Sequence, residues 1–282
     1  MKKIRLIALD LDGTLLDDKK CLSKRNREAL LECMEQGIEV VPCTGRIWPG
    51  IPEFIRNLPG IQYAITVNGG MIEDVARHQV LDERKLEWKK AVEILKLAGT
   101  YETMYDIYIG KSGYGEARFM NHMGDYGIGP ELEKMIRDTR IVVPDVIEEI
   151  INLAKPIDKI NFFFGNPEER MRVRRILLER GDVEVSASFS NNLEINGPGA
   201  TKGEALLRLA SHLGIDACET MGFGDGENDL TLIKNAGIGV AMGNAVENLK
   251  SEADYVTTTN YEDGVAEALW HLLKIGRPCM EP

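Results

Sequence analysis

Cysteine and histidine are both scarce in this sequence, and their spacing excludes the sites that they usually build. The five cysteines are odd in number and form no CxxC pair, so neither a disulfide framework nor a thiolate zinc site is predicted. The four histidines share no ligand spacing. Any metal ion must therefore be bound by carboxylates. The residues concerned are Cys21, Cys33, Cys43, Cys218, Cys279, His78, His122, His212 and His271.

Basic residues are outnumbered, and long apolar runs are missing. Lys and Arg total 34 against 45 Asp and Glu, which gives a formal net charge of −11. An acidic chain is a poor candidate for binding nucleic acid or an anionic membrane, although a local basic pocket could still hold a phosphorylated small molecule. No apolar run approaches the ~20 residues of a membrane span, and the apolar stretch within residues 1–10 is too short for a signal peptide. We therefore expect a cytoplasmic enzyme without nucleic-acid or membrane partners.

A length of 282 residues suggests two domains of ~150 residues, and the hydrophobic pattern indicates where they divide. Nearly unbroken apolar runs at residues 4–9, 38–43 and 63–67 are typical of strands buried in a parallel sheet. A helix capped by Ser23 lies between the first two runs, and strands and helices alternate again from residue 201 onward. This alternation predicts a doubly wound α/β fold.

The middle of the chain has a different composition. Five of the eight tyrosines lie between Tyr101 and Tyr126, and the predicted strand at residues 160–164 is rich in Phe. Helices are predicted at residues 83–98, 130–138, 146–152 and 167–180. An inserted α/β domain explains why the alternation of buried strands and helices is interrupted in the middle of the chain and continues after it. We predict a core domain formed by residues 1–80 and 191–282, and an inserted smaller domain at residues 81–190.

Two acidic clusters follow predicted strands of the core. Asp10 and Asp12 come directly after the first strand, and residues two apart in extended chain point to the same side. Asp225 and Asp229 belong to the run Gly-Asp-Gly-Glu-Asn-Asp that follows another short strand and opens a helix. Ligands of open α/β sheets bind outside the carboxyl ends of the strands. Oxygen ligands of this kind suit a hard cation such as Mg²⁺.

Two further fragments supply a hydroxyl group and an ammonium group. Thr44 follows the second strand within Thr-Gly-Arg, and Lys202 lies in a predicted capping box at the start of a helix, where anions bind readily. Each fragment alone could be a turn residue or an exposed lysine. Together with a divalent cation and a carboxylate pair, they predict a site for a phosphoryl group.

These residues resemble the motifs of the haloacid dehalogenase (HAD) superfamily, in particular its Cof-like branch of Mg²⁺-dependent phosphatases. Residues 10–14, Asp-Leu-Asp-Gly-Thr, are similar to the first motif, and residues 44–46 to the second. Lys202 with Gly203 is similar to the third, and residues 224–229 to the fourth. Residues 67–70, Val-Asn-Gly-Gly, resemble an Asn-Gly turn that precedes the inserted domain of this family. The resemblance implies a Rossmannoid core with an α/β cap inserted between the second and third motifs.

The resemblance also implies a mechanism through an aspartyl-phosphate. Asp10 would be the nucleophile, and Asp12 the general acid and base that also offers its backbone carbonyl to the metal. Asp225 would bind Mg²⁺ directly, with Asp229 acting through water or directly. The predicted metal set is therefore Asp10, Asp12, Asp225 and Asp229, and the predicted phosphate-binding set is Leu11, Thr44, Gly45, Lys202 and Asn228.

One stretch departs from the family pattern. Residues 47–52, Ile-Trp-Pro-Gly-Ile-Pro, should delay the helix that usually follows the second motif. No substrate contact is therefore assigned to Arg46 or Trp48, and Trp48 is expected to pack in the core. No motif assigns substrate contacts to the tyrosines, Arg118 or His122 of the inserted domain.

Three functions fit the sequence. The leading hypothesis is a phosphomonoesterase acting on sugar phosphates or phosphorylated cofactors, working as a monomer or homodimer. A phosphomutase of the same superfamily would keep both aspartates of the first motif. A catalytically silent sugar-phosphate-binding protein is disfavoured because Asp10, Asp12, Lys202, Asp225 and Asp229 are all present.

Overall fold

The structure, a computed structural model, describes residues 3–110 and 112–275 and divides into two units. The first unit combines the chain up to Glu83 with the chain from Thr201 onward, and the second runs from Arg84 to Ala200. The two units differ from the predicted division mainly at the return to the core. Residues 192–196 form a strand of the second unit, so this unit continues beyond residue 190.

The helices and strands of both units are numbered in chain order. The strands are β1 (Leu6–Leu9), β2 (Glu39–Pro42), β3 (Tyr63–Thr66), β4 (Met71–Asp74), β5 (Gln79–Glu83), β6 (Thr103–Ile109), β7 (Ser112–Glu116), β8 (Arg140–Val143), β9 (Lys159–Phe164), β10 (Glu184–Ser186), β11 (Asn192–Asn196), β12 (Thr220–Gly224), β13 (Ile238–Ala241) and β14 (Tyr255–Val256). The α-helices are α1 (Lys24–Glu35), α2 (Glu53–Arg56), α3 (Trp88–Ala98), α4 (Pro130–Thr139), α5 (Val146–Leu153), α6 (Pro167–Arg180), α7 (Lys202–His212), α8 (Leu230–Asn235), α9 (Glu247–Glu252) and α10 (Gly264–Leu273).

A parallel sheet in the order β14-β13-β12-β1-β2 forms the centre of the first unit. All four residues of β1 are buried, because its alternate side chains enter two different hydrophobic clusters. Ile7 and Leu9 join a cluster that contains residues of α1 and α10, whereas Leu6 and Ala8 join one that contains residues of α7. A strand covered on both faces reads as an unbroken apolar run. The predicted α/β fold with a Rossmannoid parallel-sheet core and a separate smaller α/β unit is confirmed.

The third predicted strand lies in a different sheet from the one expected. β3 pairs antiparallel with β4, which pairs antiparallel with β5, and a single parallel bridge from Cys43 to Ile65 links β3 to the end of the second strand. The chain reverses at residues 67–70, so the segment after β3 returns as β4 instead of crossing over as a helix. Because β5 extends to Glu83, the helix predicted at residues 83–98 begins only at Trp88, capped by Glu87.

The second unit is built on a mostly antiparallel sheet in the order β10-β11-β9-β6-β7-β8. Helix α6 spans the predicted residues 167–180. One face of the sheet carries a buried polar network, in which Arg140 Nε and Asn161 Nδ2 each donate to the Asp106 carboxylate at 2.7 Å. Lys159 and Glu194 form an ion pair in the same sheet at 3.2 Å.

The cysteines at positions 21, 33, 43 and 218 carry free thiols, and Cys279 lies outside the described residues. Within the described part of the chain, no helix combines the length and apolarity needed to cross a bilayer.

Candidate active site

The two acidic clusters meet because their strands are neighbours. β1 pairs with β12 in parallel, and the Asp10 amide extends the pairing by donating to the Phe223 carbonyl at 3.0 Å. Carboxyl ends of parallel strands meet at one edge of the sheet. Asp10, Asp225 and Asp229 therefore approach one another, with one carboxylate oxygen from each lying within 4.8 Å of the others.

Lys202 joins two of these carboxylates. It is the first residue of α7, which is capped by the Thr201 hydroxyl accepting from the Glu204 amide at 3.2 Å. The Lys202 side chain is fully buried, and its Nζ donates to Asp10 Oδ1 and to Asp229 Oδ1, each at 2.6 Å. One ammonium group thus faces three carboxylates, which leaves the cluster with an excess of negative charge.

The pKa values of the cluster reflect this imbalance. Burial raises the pKa of Asp10 well above its usual range, with Asp229 and Asp225 adding to the shift and Lys202 opposing it. Burial and the charge of Asp229 raise the pKa of Asp225 to about 6. Burial opposes the charge of Lys202, but Asp10 and Asp229 hold its pKa above the usual range. The cluster favours added positive charge.

Hydrogen bonds hold the acidic side chains in fixed positions. The backbone amides of Asp225 and Gly226 both donate to Asp229 Oδ2 at 3.0 Å, and the Thr14 hydroxyl donates to Asp225 Oδ1 at 2.9 Å. Gly13 has a φ of +83°, and a Cβ at this position would come within 2.4 Å of Asp225 Oδ2. Glycine is therefore required at position 13 for two reasons: the backbone turns with a positive φ, and the Asp225 carboxylate leaves no room for a side chain.

Asp12 has a different environment from Asp10. Arg46 donates to its two carboxylate oxygens from Nε at 2.7 Å and from Nη2 at 2.8 Å, and Lys20 Nζ lies 2.8 Å from Oδ1. Burial alone would raise the pKa of Asp12, but Arg46 and then Lys20 lower it to about 2. Two carboxylates whose environments separate their pKa values can serve different roles in acid–base chemistry. Lys20 belongs to no motif, so its contact with Asp12 could not be predicted from the sequence.

The predicted phosphate-binding residues lie in the first unit, in loops, in a 3₁₀ turn and at the start of α7. The Thr44 side chain is buried, and its hydroxyl oxygen accepts from the Arg46 amide at 3.2 Å. Because the hydroxyl acts as the acceptor in this bond, its own hydrogen remains able to donate to a different group. Asn228 precedes Asp229 in a short 3₁₀ turn, and its Nδ2 donates to Asn68 Oδ1 at 3.3 Å. The set is Leu11, Thr44, Gly45, Lys202 and Asn228.

Residues 47–52 delay the helix that follows the second motif, as predicted. A 3₁₀ turn at Trp48–Gly50 comes first, and α2 begins only at Glu53. The turn places the Gly50 carbonyl 2.8 Å from Arg46 Nη1, so the guanidinium is held from both sides while it contacts Asp12. Trp48 packs against the hydrophobic core, as expected.

Replacing Arg46 with Gln should raise the pKa of Asp12 from about 2 toward its ordinary value, because the stronger of its two cationic partners is removed. A carboxyl group with a depressed pKa stabilises the folded state above its unfolded pKa of ~3.9, and this contribution disappears as the pH falls through the folded pKa. The variant should therefore lose stability at pH 7 but not near pH 2. Carboxyl ¹³C NMR titration, assigned with Asp12→Asn, measures the shift. Lys20→Gln should have a smaller effect, and an unchanged Asp12 titration in Arg46→Gln would contradict the assignment.

Comparison with known proteins identifies the family. Residues 7–269 match the family described as haloacid dehalogenase-like hydrolase. Phosphatase YwpJ of Bacillus subtilis is 33% identical, with 96% of this chain and 100% of the relative covered. A second relative from B. subtilis, 5-amino-6-(5-phospho-D-ribitylamino)uracil phosphatase YcsE, is also 33% identical, with 95% of each chain covered.

A solved structure shows the same fold. A haloacid dehalogenase-like hydrolase from B. subtilis superposes with a TM-score of 0.84 at 31% identity, covering 96% of this chain and 100% of that one. The chain belongs to the haloacid dehalogenase-like hydrolases, in their Cof-like branch. The prediction of a HAD-type phosphatase, a hydrolase that acts on phosphoric monoesters, is confirmed.

Proposed function

We propose that this protein is a Mg²⁺-dependent phosphomonoesterase that hydrolyses small phosphorylated metabolites through a covalent intermediate on Asp10. The observation that carries the proposal is the buried set of Asp10, Lys202 and Asp229, with Asp225 close by, at the carboxyl edge of the parallel sheet. Nucleophilic carboxylates of this kind split phosphoryl transfer into two easier steps.

The donor set fits a magnesium ion. Carboxylate oxygens are the ligands that Mg²⁺ prefers, and it needs only one or two carboxylates in addition to water and substrate phosphate. The raised pKa values of Asp10 and Asp225 reflect negative charge that a divalent cation would balance. We assign the ion to Asp10, Asp225, the backbone carbonyl of Asp12 and, directly or through water, Asp229. When bound, it neutralises charge between the nucleophile and the phosphoryl group.

In the first step, one Asp10 carboxylate oxygen bonds to phosphorus while the bond from phosphorus to the leaving alkoxide oxygen breaks. Lys202 holds Asp10 Oδ1, so we assign the attack to the other oxygen. Leu11, Thr44, Gly45, Lys202 and Asn228 hold the phosphoryl oxygens. Removing one such donor typically lowers the rate by ~10²–10³.

Asp12 moves the protons in both steps. In the first step its protonated carboxyl donates to the leaving alkoxide, and in the second its carboxylate takes a proton from the water that attacks phosphorus. The second step releases inorganic phosphate and regenerates the Asp10 carboxylate. Arg46 and Lys20 favour the ionised form of Asp12, which is the form that the second step requires, and they disfavour the protonated form that the first step requires. The first step therefore requires Asp12 to separate from these cations when the ester binds.

The proposed substrates are sugar phosphates or phosphorylated cofactors. The name of one relative specifies a substrate with a phosphorylated ribityl group on an aminouracil, which joins a polyol phosphate to a ring. A cytoplasmic location and a monomeric or homodimeric state belong to the same proposal. A phosphomutase, which would use the same aspartates, is the second candidate.

Inorganic phosphate release from a panel of phosphomonoesters tests the proposal. The panel contains hexose phosphates, a pentitol phosphate and pyridoxal phosphate, each assayed with Mg²⁺, with EDTA and with EDTA followed by excess Mg²⁺. We expect release that EDTA stops and Mg²⁺ restores, because the acidic cluster needs a cation. Release that persists in metal-stripped protein would remove the metal role of Asp225. Absence of release from every ester would contradict the proposed phosphomonoesterase activity and favour the phosphomutase, which a sugar bisphosphate would then activate.

A further inference from the structure

The turn between β3 and β4 has an unusual backbone. Val67, Asn68 and Gly69 have φ values of +55°, +57° and +93°, so three successive residues lie in the left-handed region. Asn and Gly tolerate this region, but a β-branched residue such as Val67 adopts it only with backbone strain. All three residues are buried. The surrounding contacts must therefore stabilise this conformation.

Those contacts come from three loops of the candidate active site. The amides of Val67 and Asn68 donate to the carbonyls of Arg46 and Thr44 at 2.9 and 3.0 Å. Gly69 lies against the residue before Lys202, because a Cβ on Gly69 would come within 2.2 Å of the Thr201 carbonyl oxygen. The turn thus packs on the second and third motifs, and the Asn68 side chain contacts the fourth.

The Asn68 side chain makes that last contact. It is 3% exposed, and its Oδ1 accepts from Asn228 Nδ2 at 3.3 Å. The other end of the Asn228 amide faces its own loop, since a Cβ on Gly226 would lie 2.8 Å from Asn228 Oδ1. An amide nitrogen carries two N–H groups in one plane, so a bond to the first sets the direction of the second.

We propose that Asn68 is a positioning residue that orients the Asn228 amide toward the transferred phosphoryl group. Asn68 is suited to this role because its backbone amide bonds to the Thr44 carbonyl while its side chain bonds to Asn228. One buried residue therefore fixes the relative positions of two loops that we assign to phosphate binding. This inference rests on the proposed function, in which Asn228 holds a phosphoryl oxygen.

A double-mutant cycle between Asn68→Gly and Asn228→Ala tests the proposal. Glycine keeps the left-handed backbone and removes only the side chain. We expect Asn68→Gly to weaken the binding of inorganic phosphate, measured by calorimetry, about tenfold, and kcat/KM by a similar factor. In the Asn228→Ala background the same change should cost nothing further, because the group that Asn68 orients is gone. Equal losses in both backgrounds would indicate a general disturbance of the turn and overturn the proposal.

Two controls complete the experiment. Asn57→Gly makes the same replacement at an exposed position away from these loops and should leave phosphate binding unchanged. Asn68→Ala also removes the acceptor oxygen without adding a charge and serves if the glycine variant fails to fold, and its effect should likewise vanish without Asn228. Unchanged phosphate affinity in both Asn68 variants would refute the role of Asn68. Since phosphate binding is measured without turnover, wild-type protein that binds phosphate but hydrolyses no ester would refute the proposed function alone.

Discussion

Replacing Asp10 with Asn should lower turnover by at least about a thousandfold without lowering the stability of the protein. The amide is nearly isosteric with the carboxylate, but it cannot form the bond to phosphorus on which the proposed mechanism depends. Its oxygen can still accept the Lys202 hydrogen bond that Asp10 Oδ1 accepts at 2.6 Å. The large loss should therefore appear in the rate and not in the fold.

Stability at neutral pH should be unchanged or higher in this variant. The pKa of Asp10 is higher in the folded state than in the unfolded state, so the folded state binds the proton more tightly. As the pH rises from the unfolded pKa to the folded pKa, ionisation of Asp10 therefore lowers the free energy of unfolding. A neutral side chain removes this penalty. Asp254→Asn, at a carboxylate that accepts from the Gly239 amide, is the matched control and should keep full activity. Phosphate release near the wild-type rate in Asp10→Asn would exclude the covalent mechanism.

The approach of Asp10 to Asp225 could be predicted from the sequence for a physical reason. Both follow short apolar strands, and the carboxyl ends of parallel strands in one sheet share an edge. The predictions followed the apolar runs, which are a direct consequence of burial on both faces. They located β3 correctly but did not predict its antiparallel pairing with β4, because the same apolar run fits a strand that pairs antiparallel after a tight reversal.

The partners of Asp12 and Asn228 could not be predicted in the same way. Arg46 lies in a recognisable motif, but its bidentate contact with Asp12 depends on a 3₁₀ turn that presents the Gly50 carbonyl. The Asn-Gly pair at Asn68 indicates a turn, whereas its contact with Asn228 spans 160 positions of sequence. Such contacts depend on loop conformations that local patterns do not specify.

The buried polar network of the second unit was missed although a signal existed. Lys159 and Asn161 alternate with Ile160 and Phe162 along β9, which is the period of two that separates the faces of a strand. The alternation alone indicates one polar face, but it does not identify Asp106 and Arg140 as the partners.

Replacing Lys202 with Met should destabilise the protein strongly and in a pH-dependent way. Met fills similar volume but leaves Asp10 and Asp229 without the buried ammonium that bridges them. Breaking a buried ion pair by removing one partner typically costs ~3–5 kcal/mol. The rate should also fall by ~10²–10³, since a donor to the phosphoryl group is lost. Urea unfolding at pH 5 and pH 8 measures the stability.

The sign of the pH dependence follows from the proton balance. Without Lys202, the pKa of Asp10 rises further, so between the unfolded pKa of ~3.9 and the folded value the native state binds more protons than the unfolded state. Stability therefore falls as the pH rises, and the loss should be larger at pH 8 than at pH 5. Lys24→Met, at a lysine whose side chain is 88% exposed, should show neither effect.

Magnesium should partly reverse the loss in Lys202→Met. Three carboxylates lie within reach of one cation, and an ion that binds only the folded state at 100 times its Kd adds ~2.7 kcal/mol of stability. The gain should be larger at pH 8, where the carboxylates are ionised. It should be absent in the double variant Lys24→Met, Asp225→Asn, because this protein lacks one carboxylate of the acidic cluster. A Lys202→Met protein as stable as wild type at pH 8 would contradict the role assigned to the buried ion pair. One that Mg²⁺ does not stabilise would show that the acidic cluster is not the cation site that the mechanism requires.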